Sequence, residues 1–261
     1  MGNKSHSGFT IIETMLFLAI SGTLVAAILV GSGTAINNQR YQDSVTTLKT
    51  TLQDQYAQVS NVDNSQSNAA ISCDTNGVVT VNTSSPATPR GQGACVIIGR
   101  FLEINDTTIT ASSVVGYNSN DSSYYIANNS TDVTELHDYK MSLLSTTTTT
   151  DTVEWGSRIA WPVSGTGFKN PTTPRSIGIL ILRSPKSGIT YTFTADTWST
   201  SNLSAMVVGG NSIPGQGQQR LCVDPGGAVV AGGLAVVIDA YSSSATGIEI
   251  RTNDMGDASR C

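Results

Sequence analysis

The sequence predicts an α+β protein in which one long N-terminal helix, apolar first and amphipathic later, carries a mostly antiparallel β head domain. Three observations lead there. From Phe9 to Ile36 the only charged side chain is Glu13, and a bilayer takes about 20 apolar residues to cross. Tyr41, Val45, Leu48, Leu52, Tyr56 and Val59 then recur at spacings of four, three, four, four and three, which is one face of an amphipathic helix. Farther on, short Val-, Ile- and Thr-rich runs alternate with Gly, Pro, Asn and Ser clusters, with no second long helical period. That is the pattern of strands joined by turns.

Residues 1–8 read as a polar leader, holding Lys4 and His6 on the side that stays cytoplasmic. Residues 9–36 read as the membrane-spanning helix and 37–60 as its amphipathic continuation. From Phe9 to Ser60 is 52 residues, roughly 78 Å at about 1.5 Å per residue. The aromatic members of the stripe are expected as core against the head. Asn61–Asn68 is a polar linker, and residues 61–261 form the β-rich head. Strands are expected at Val78–Val81, Cys95–Ile104, Thr108–Val115, Tyr124–Ile126, Ile177–Leu182, Ile189–Thr194, Met206–Val208, Arg220–Val223, Ala228–Ile238 and Gly247–Arg251. Thr146–Thr150 and Asn211–Gln219 are expected as loops.

Composition narrows the class. Charged residues make up 13%, against a norm of about 25%, and Ser, Thr, Asn and Gly fill the gap. Such a chain suits β-strands and turns in solvent outside the cell and matches a cytosolic enzyme poorly. A net charge of −5 and a pI near 4.9 leave no global footprint for nucleic acid. A local basic–aromatic stretch remains in Arg158, Lys169 and Arg175 with Trp155, Trp161 and Phe168, whose aromatic members are expected as core. Cys73, Cys95, Cys222 and Cys261 form no C-x-x-C pair, which disfavours zinc. In an exported chain four cysteines favour two disulfides; of three connectivities the spacing favours Cys73–Cys95 with Cys222–Cys261, and all three stay open.

No catalytic chemistry, cofactor or metal is expected. His137 lies in Glu135-Leu136-His137-Asp138, an acidic cluster that reads as a solvated turn. Asp121, Asp132, Glu135 and Asp138 lack the ordered spacing of a calcium loop. No nucleophile elbow, P-loop or dinucleotide fingerprint occurs in the head.

The informative segment is the N-terminus. A secretory signal places its small-residue cleavage site after the apolar run, whereas Gly8 stands before it. A carboxylate inside such a run costs about 2.5–3.5 kcal/mol at a helix centre and less near its end, so Glu13 needs a purpose. Gly8-Phe9-Thr10-Ile11-Ile12-Glu13 resembles the processing motif of type IV prepilins and type II secretion pseudopilins. The resemblance implies cleavage between Gly8 and Phe9 by a prepilin peptidase, N-methylation of Phe9, and pairing of Glu13 with a neighbouring subunit's N-terminal amine. An ammonium and a carboxylate each left alone in hydrocarbon are costly, and pairing relieves both.

The same resemblance implies other pilin subunits and the pilus assembly machinery as partners. It implies a single-pass precursor in the cytoplasmic membrane, then an extracellular pilus or a periplasmic pseudopilus. Many major pilins carry a kinking proline where this chain has Val30. Gly31-Ser32-Gly33 follows at once, open to two readings: a weak point in the helix or a surface for close helix packing. In the head, Gly99-Arg100-Phe101-Leu102 and Arg220-Leu221-Cys222-Val223-Asp224-Pro225-Gly226-Gly227 are similar to segments of minor pilins and pseudopilins with small β-sandwich heads, although strand–Pro–Gly–Gly–strand is also a general hairpin signal. The functional expectation is a minor pilin, with a secretion pseudopilin or a tip adhesin or DNA-capturing pilin as alternatives. The large Gly- and Thr-rich head favours a displayed pilin over a periplasmic piston.

Overall fold

The computed structural model describes residues 10–61, 70–73, 79–82, 95–117, 131–164, 173–207, 217–228, 230, 232–239, 242–252 and 259–261. The chain is α+β, as the sequence predicts. Helix α1, Ile11–Ser60, is a single element of 50 residues. It starts where Thr10, in extended conformation, accepts a hydrogen bond from the Glu13 N–H at 3.3 Å. It runs unbroken through Val30 and Gly31-Ser32-Gly33, so neither the missing proline nor the glycines interrupt it. At its end the Asn61 N–H still reaches Ala57 O.

Two antiparallel sheets receive the second half of α1. In the first, strands lie in the order β5 (Lys140–Thr152), β4 (Thr108–Tyr117), β3 (Cys95–Asn105), β8 (Ser176–Arg183), β9 (Thr190–Ala195). In the second the order is β12 (Ile248–Thr252), β11 (Leu234–Ile238), β10 (Gln219–Asp224), β6 (Arg158–Ala160). Two short pairs complete the described strands: β1 (Ala70–Cys73) with β2 (Val79–Asn82), and β7 (Val163–Ser164) with β13 (Ser259–Arg260). A two-residue turn joins β3 to β4, and Asp106 takes its positive φ of 54°, a conformation aspartate tolerates better than most residues.

Side chains alternate along each strand, as the pleat requires. Leu102 and Ile104 of β3 and Ile177, Ile179 and Ile181 of β8 join the α1 stripe Tyr41, Val45, Leu48, Leu52, Tyr56 and Val59. Leu221 and Val223 of β10 and Val236 and Ile238 of β11 enter the same core from the second sheet. The stripe read from the sequence is therefore the seam on which both sheets close. The far face of the first sheet, with Phe101, Leu180, Leu182 and Phe193, is covered by Leu136 and Tyr139 and by Leu203, Met206 and Val207. Cys222, Ala235 and Val237 form a smaller cluster with Cys261 behind the second sheet.

Several expectations are corrected. Thr146–Thr150 is not a loop but part of β5, paired at Thr110 with Thr150 and at Ala111 with Thr149; a run of β-branched residues fits a pleated surface. Met206 and Val207 are not in a strand, since Leu203–Met206 is a 3-10 turn and Val207 follows it, while Val208 lies outside the described residues. The Glu135–Asp138 cluster is no turn: it lies in a short helix α2, Asp132–Asp138, capped by the Thr131 side chain, which accepts from the Thr134 N–H. Trp155 and Trp161 are surface residues rather than core. Gln219 opens β10, and among the described residues of the expected 228–238 strand only Leu234–Ile238 is strand. The proposed linker beyond Asn61, the strand at Tyr124–Ile126 and most of the Asn211–Gln219 loop fall outside the described residues.

Candidate assembly helix and its anchorage

Gly8 and Phe9 lie outside the described residues. Glu13 is the third residue of α1, and its carboxylate Oε2 accepts hydrogen bonds from the Thr10 N–H at 3.1 Å and the Thr10 hydroxyl at 3.2 Å. With the return bond from Glu13 N–H to Thr10 this is a capping box. The side chain thus sits at the positive end of the helix dipole, where a carboxylate is favoured, and it is exposed.

From Ile11 to Val30 the shaft is apolar on nearly every side and is almost wholly exposed among the described residues. Ile12, Phe17, Leu24 and Val30 are among its exposed residues. The helix is long and apolar enough to cross a membrane, and none of its most apolar stretch is buried in the protein. Hydroxyls in this part turn inward onto the helix backbone: Ser21 donates to Phe17 O at 2.7 Å and Thr23 to Ile20 O at 2.8 Å. That satisfies polar groups where water is scarce.

The other half is held by polar threads as well as by its stripe. The Tyr41 hydroxyl accepts from Leu234 N–H at 2.7 Å and donates to Val223 O at 2.9 Å, tying α1 to β10 and β11. Burial pushes this phenol above its usual range, Asp224 adds to the shift, and the Leu234 amide opposes it. Tyr56 shares a 2.8 Å hydrogen bond with the Thr192 hydroxyl, which donates to Ser242 O at 2.7 Å. Gln53 Nε2 donates to Ala245 O at 3.0 Å. Arg100, in the buried core, donates to Gln55 Oε1 and Ser113 Oγ, each at 3.0 Å. Desolvation pulls the Arg100 guanidinium below its usual range, an effect that Asp54 opposes. Arg183 Nη1 reaches Ser60 O at 3.1 Å. The sequence carried one signal of this clamp, the use of Tyr instead of Leu at two stripe positions; Gln55 and Arg100 gave none.

The cysteine expectation holds where it is described. Cys222 and Cys261 form a disulfide with Cα atoms 5.3 Å apart. Cys95 is also disulfide-bonded, while the Cys73 side chain is outside the described residues.

The two described cations of the basic–aromatic stretch are engaged within the head. Arg158 pairs with Asp224 at 2.8 Å. Arg175 is 3% exposed and donates to Arg220 O at 2.7 Å, Gln219 Oε1 at 2.8 Å and Asp196 Oδ1 at 2.9 Å, while stacking on Trp161 at 4.4 Å. Lys169 and Phe168 are outside the described residues. In the acidic group, Asp132 accepts from the hydroxyls of Ser187 and Tyr191, and His137 contacts Asp138. Among the described residues no three His, Cys, Asp or Glu side chains gather as metal ligands would. The chain matches no protein-family model, no curated protein and no solved structure.

Proposed function

We propose that this chain is a filament subunit of the type IV pilus class, a minor pilin that is cleaved between Gly8 and Phe9 and assembled through α1. One observation carries the reading: a single unbroken helix divides at about residue 40 into a half clamped inside the head and an apolar half left exposed among the described residues. In the membrane, lipid covers the free half. In a filament, the same halves of neighbouring subunits cover one another, and Glu13 meets the N-terminal amine of a neighbouring Phe9. Each head is then displayed outward on its own rigid stem. The apolar surface is covered in both states, so close packing of helix against helix and the pairing of the single carboxylate favour assembly, and the carboxylate sets the register.

Mass spectrometry of native material tests the processing step. The expected N-terminus is N-methylated Phe9, and Gly8→Leu leaves unprocessed precursor in the membrane. Assembled protein with Met1 intact, or cleavage near Ala35, overturns the proposal.

A further inference from the structure

Trp155 is 56% exposed and has φ 58°, ψ 27°. That is the left-handed region, which a bulky residue enters only under constraint. The constraint is visible. Ser157 N–H donates to Glu154 O at 3.1 Å, closing the turn, and the Pro225-Gly226-Gly227 turn packs so tightly behind it that a Cβ at Gly226 would collide with Gly156 O. Val153 and Ile159 on either side are buried. The backbone therefore holds the indole out of the core, and the side chain it meets is Arg40 of α1, whose guanidinium carbon lies 4.9 Å from the ring centroid.

Arg40 is the first charged residue after the apolar shaft, and Tyr41 behind it is already inside the head. Thirty residues of helix separate Thr10 from Arg40, about 45 Å at ~1.5 Å per residue. A bilayer with both headgroup layers is about 40–45 Å thick. With Thr10 and Glu13 in the inner headgroup layer, Arg40 and Trp155 therefore stand in the outer one. Tryptophan and arginine are the side chains that settle at that depth, with an apolar body and a polar or charged end. Glu154, exposed beside the ring, complements the cationic end of a zwitterionic headgroup.

We infer that Trp155 and Arg40 form a lipid-headgroup contact at the base of the head, which seats the unassembled subunit at a fixed depth in the outer leaflet. This rests on the membrane-spanning reading of α1. Because the helix is rigid between them, seating Arg40 also fixes Glu13 at the opposite interface.

The test uses the full chain reconstituted in phosphatidylcholine vesicles with bromines placed high on the acyl chains, next to the glycerol. Wild type is compared with Trp155→Phe, a change at an exposed ring that leaves the fold intact. Wild-type emission is expected to be quenched by an additional share corresponding to one of the three tryptophans, and that share to vanish in the variant. Equal fractional quenching of the two proteins overturns the contact. A Phe17→Trp reporter in the Trp155→Phe background, with bromines deep in the chains, separates the two readings. Deep quenching without the Trp155 difference refutes only the headgroup contact; no deep quenching removes the spanning helix and the contact with it.

Discussion

Two buried polar side chains show how single residues carry weight in this head. Arg100 joins α1 to the first sheet through Gln55 and Ser113, so Arg100→Ala orphans two acceptors in the core. At about 1–3 kcal/mol for each buried group left unsatisfied, the variant is expected to lose roughly 3 kcal/mol in denaturant unfolding of the detergent-solubilised chain. A loss below about 0.5 kcal/mol, the usual range for a surface change, would mean that Arg100 is not the clamp described here. Glu135 is 7% exposed, and its Oε2 has no hydrogen-bond partner among the described residues. Burial raises its pKa above the usual glutamate value, Lys186 pulls it back and Asp132 adds to the rise. The folded state therefore holds this proton more tightly than the unfolded chain. Stability contributed by protonated Glu135 is full below the unfolded pKa and is lost as pH rises through the folded value. Glu135→Gln is expected to raise the melting temperature at neutral pH and to remove part of the melting temperature's decline as pH rises above the usual glutamate range. Parallel pH profiles for the two proteins would exclude Glu135 as the source.

At the scale of elements, α1 is two structures in one helix, and the difference is measurable. Leu52 is buried on the seam, whereas Leu24 is exposed on the shaft. Leu52→Ala is expected to destabilise the head by about 2–5 kcal/mol, while Leu24→Ala leaves the melting of the head unchanged. Equal effects would mean that the two halves are not mechanically separate. The division was legible in the sequence because the apolar pattern changes from all-round to one face near Tyr41, and periodicity reports burial directly. The strands Cys95–Asn105, Thr108–Tyr117, Ser176–Arg183 and Thr190–Ala195 were legible for the same reason. β5 was not. Five successive threonines lack the apolar alternation that marks a half-buried strand, and this edge strand leaves much of residues 145–152 in solvent. What holds it is specific: Thr147 accepts from Ser113 N–H at 3.0 Å and Thr148 shares a 2.8 Å bond with Ser112, across the register shift between Ala111 and Ser113. Helix α2 escaped because seven residues give two turns, too few for a period, and its one local signal was Thr131 as cap. The clamp of Arg100 on Gln55 joins positions 45 residues apart, and no local pattern announces such a pairing.

For the whole molecule the decisive residue is Glu13, because the proposed filament would place a different partner beside it than the isolated chain does. In the isolated chain the carboxylate closes a capping box with Thr10, so Glu13→Ala removes both the return half of that box and a charge, while the Thr10 hydroxyl still accepts from the backbone N–H of residue 13. Glu13→Gln removes the charge alone, since glutamine also serves in a capping box. The two effects fall on different observables. Fraying of the first turn alters the free chain, whereas in the proposed filament loss of the charge would leave a neighbour's N-terminal ammonium unmatched in an apolar surround, a cost that arises only after packing. Head folding depends on residues from Tyr41 onward and is expected to be unchanged in both variants. If the charge is what assembly reads, Glu13→Gln and Glu13→Ala are both recovered from membranes, correctly cleaved, and both are depleted from sheared filaments to a similar degree. If the cap is what matters, Glu13→Gln assembles like wild type and only Glu13→Ala fails. The measurement is the fraction of each full-length protein in sheared filaments, with membrane-extracted monomer as the reference. Wild-type recovery of Glu13→Gln would remove the intersubunit charge pair from the proposed mechanism and leave Glu13 as a residue that finishes its own helix.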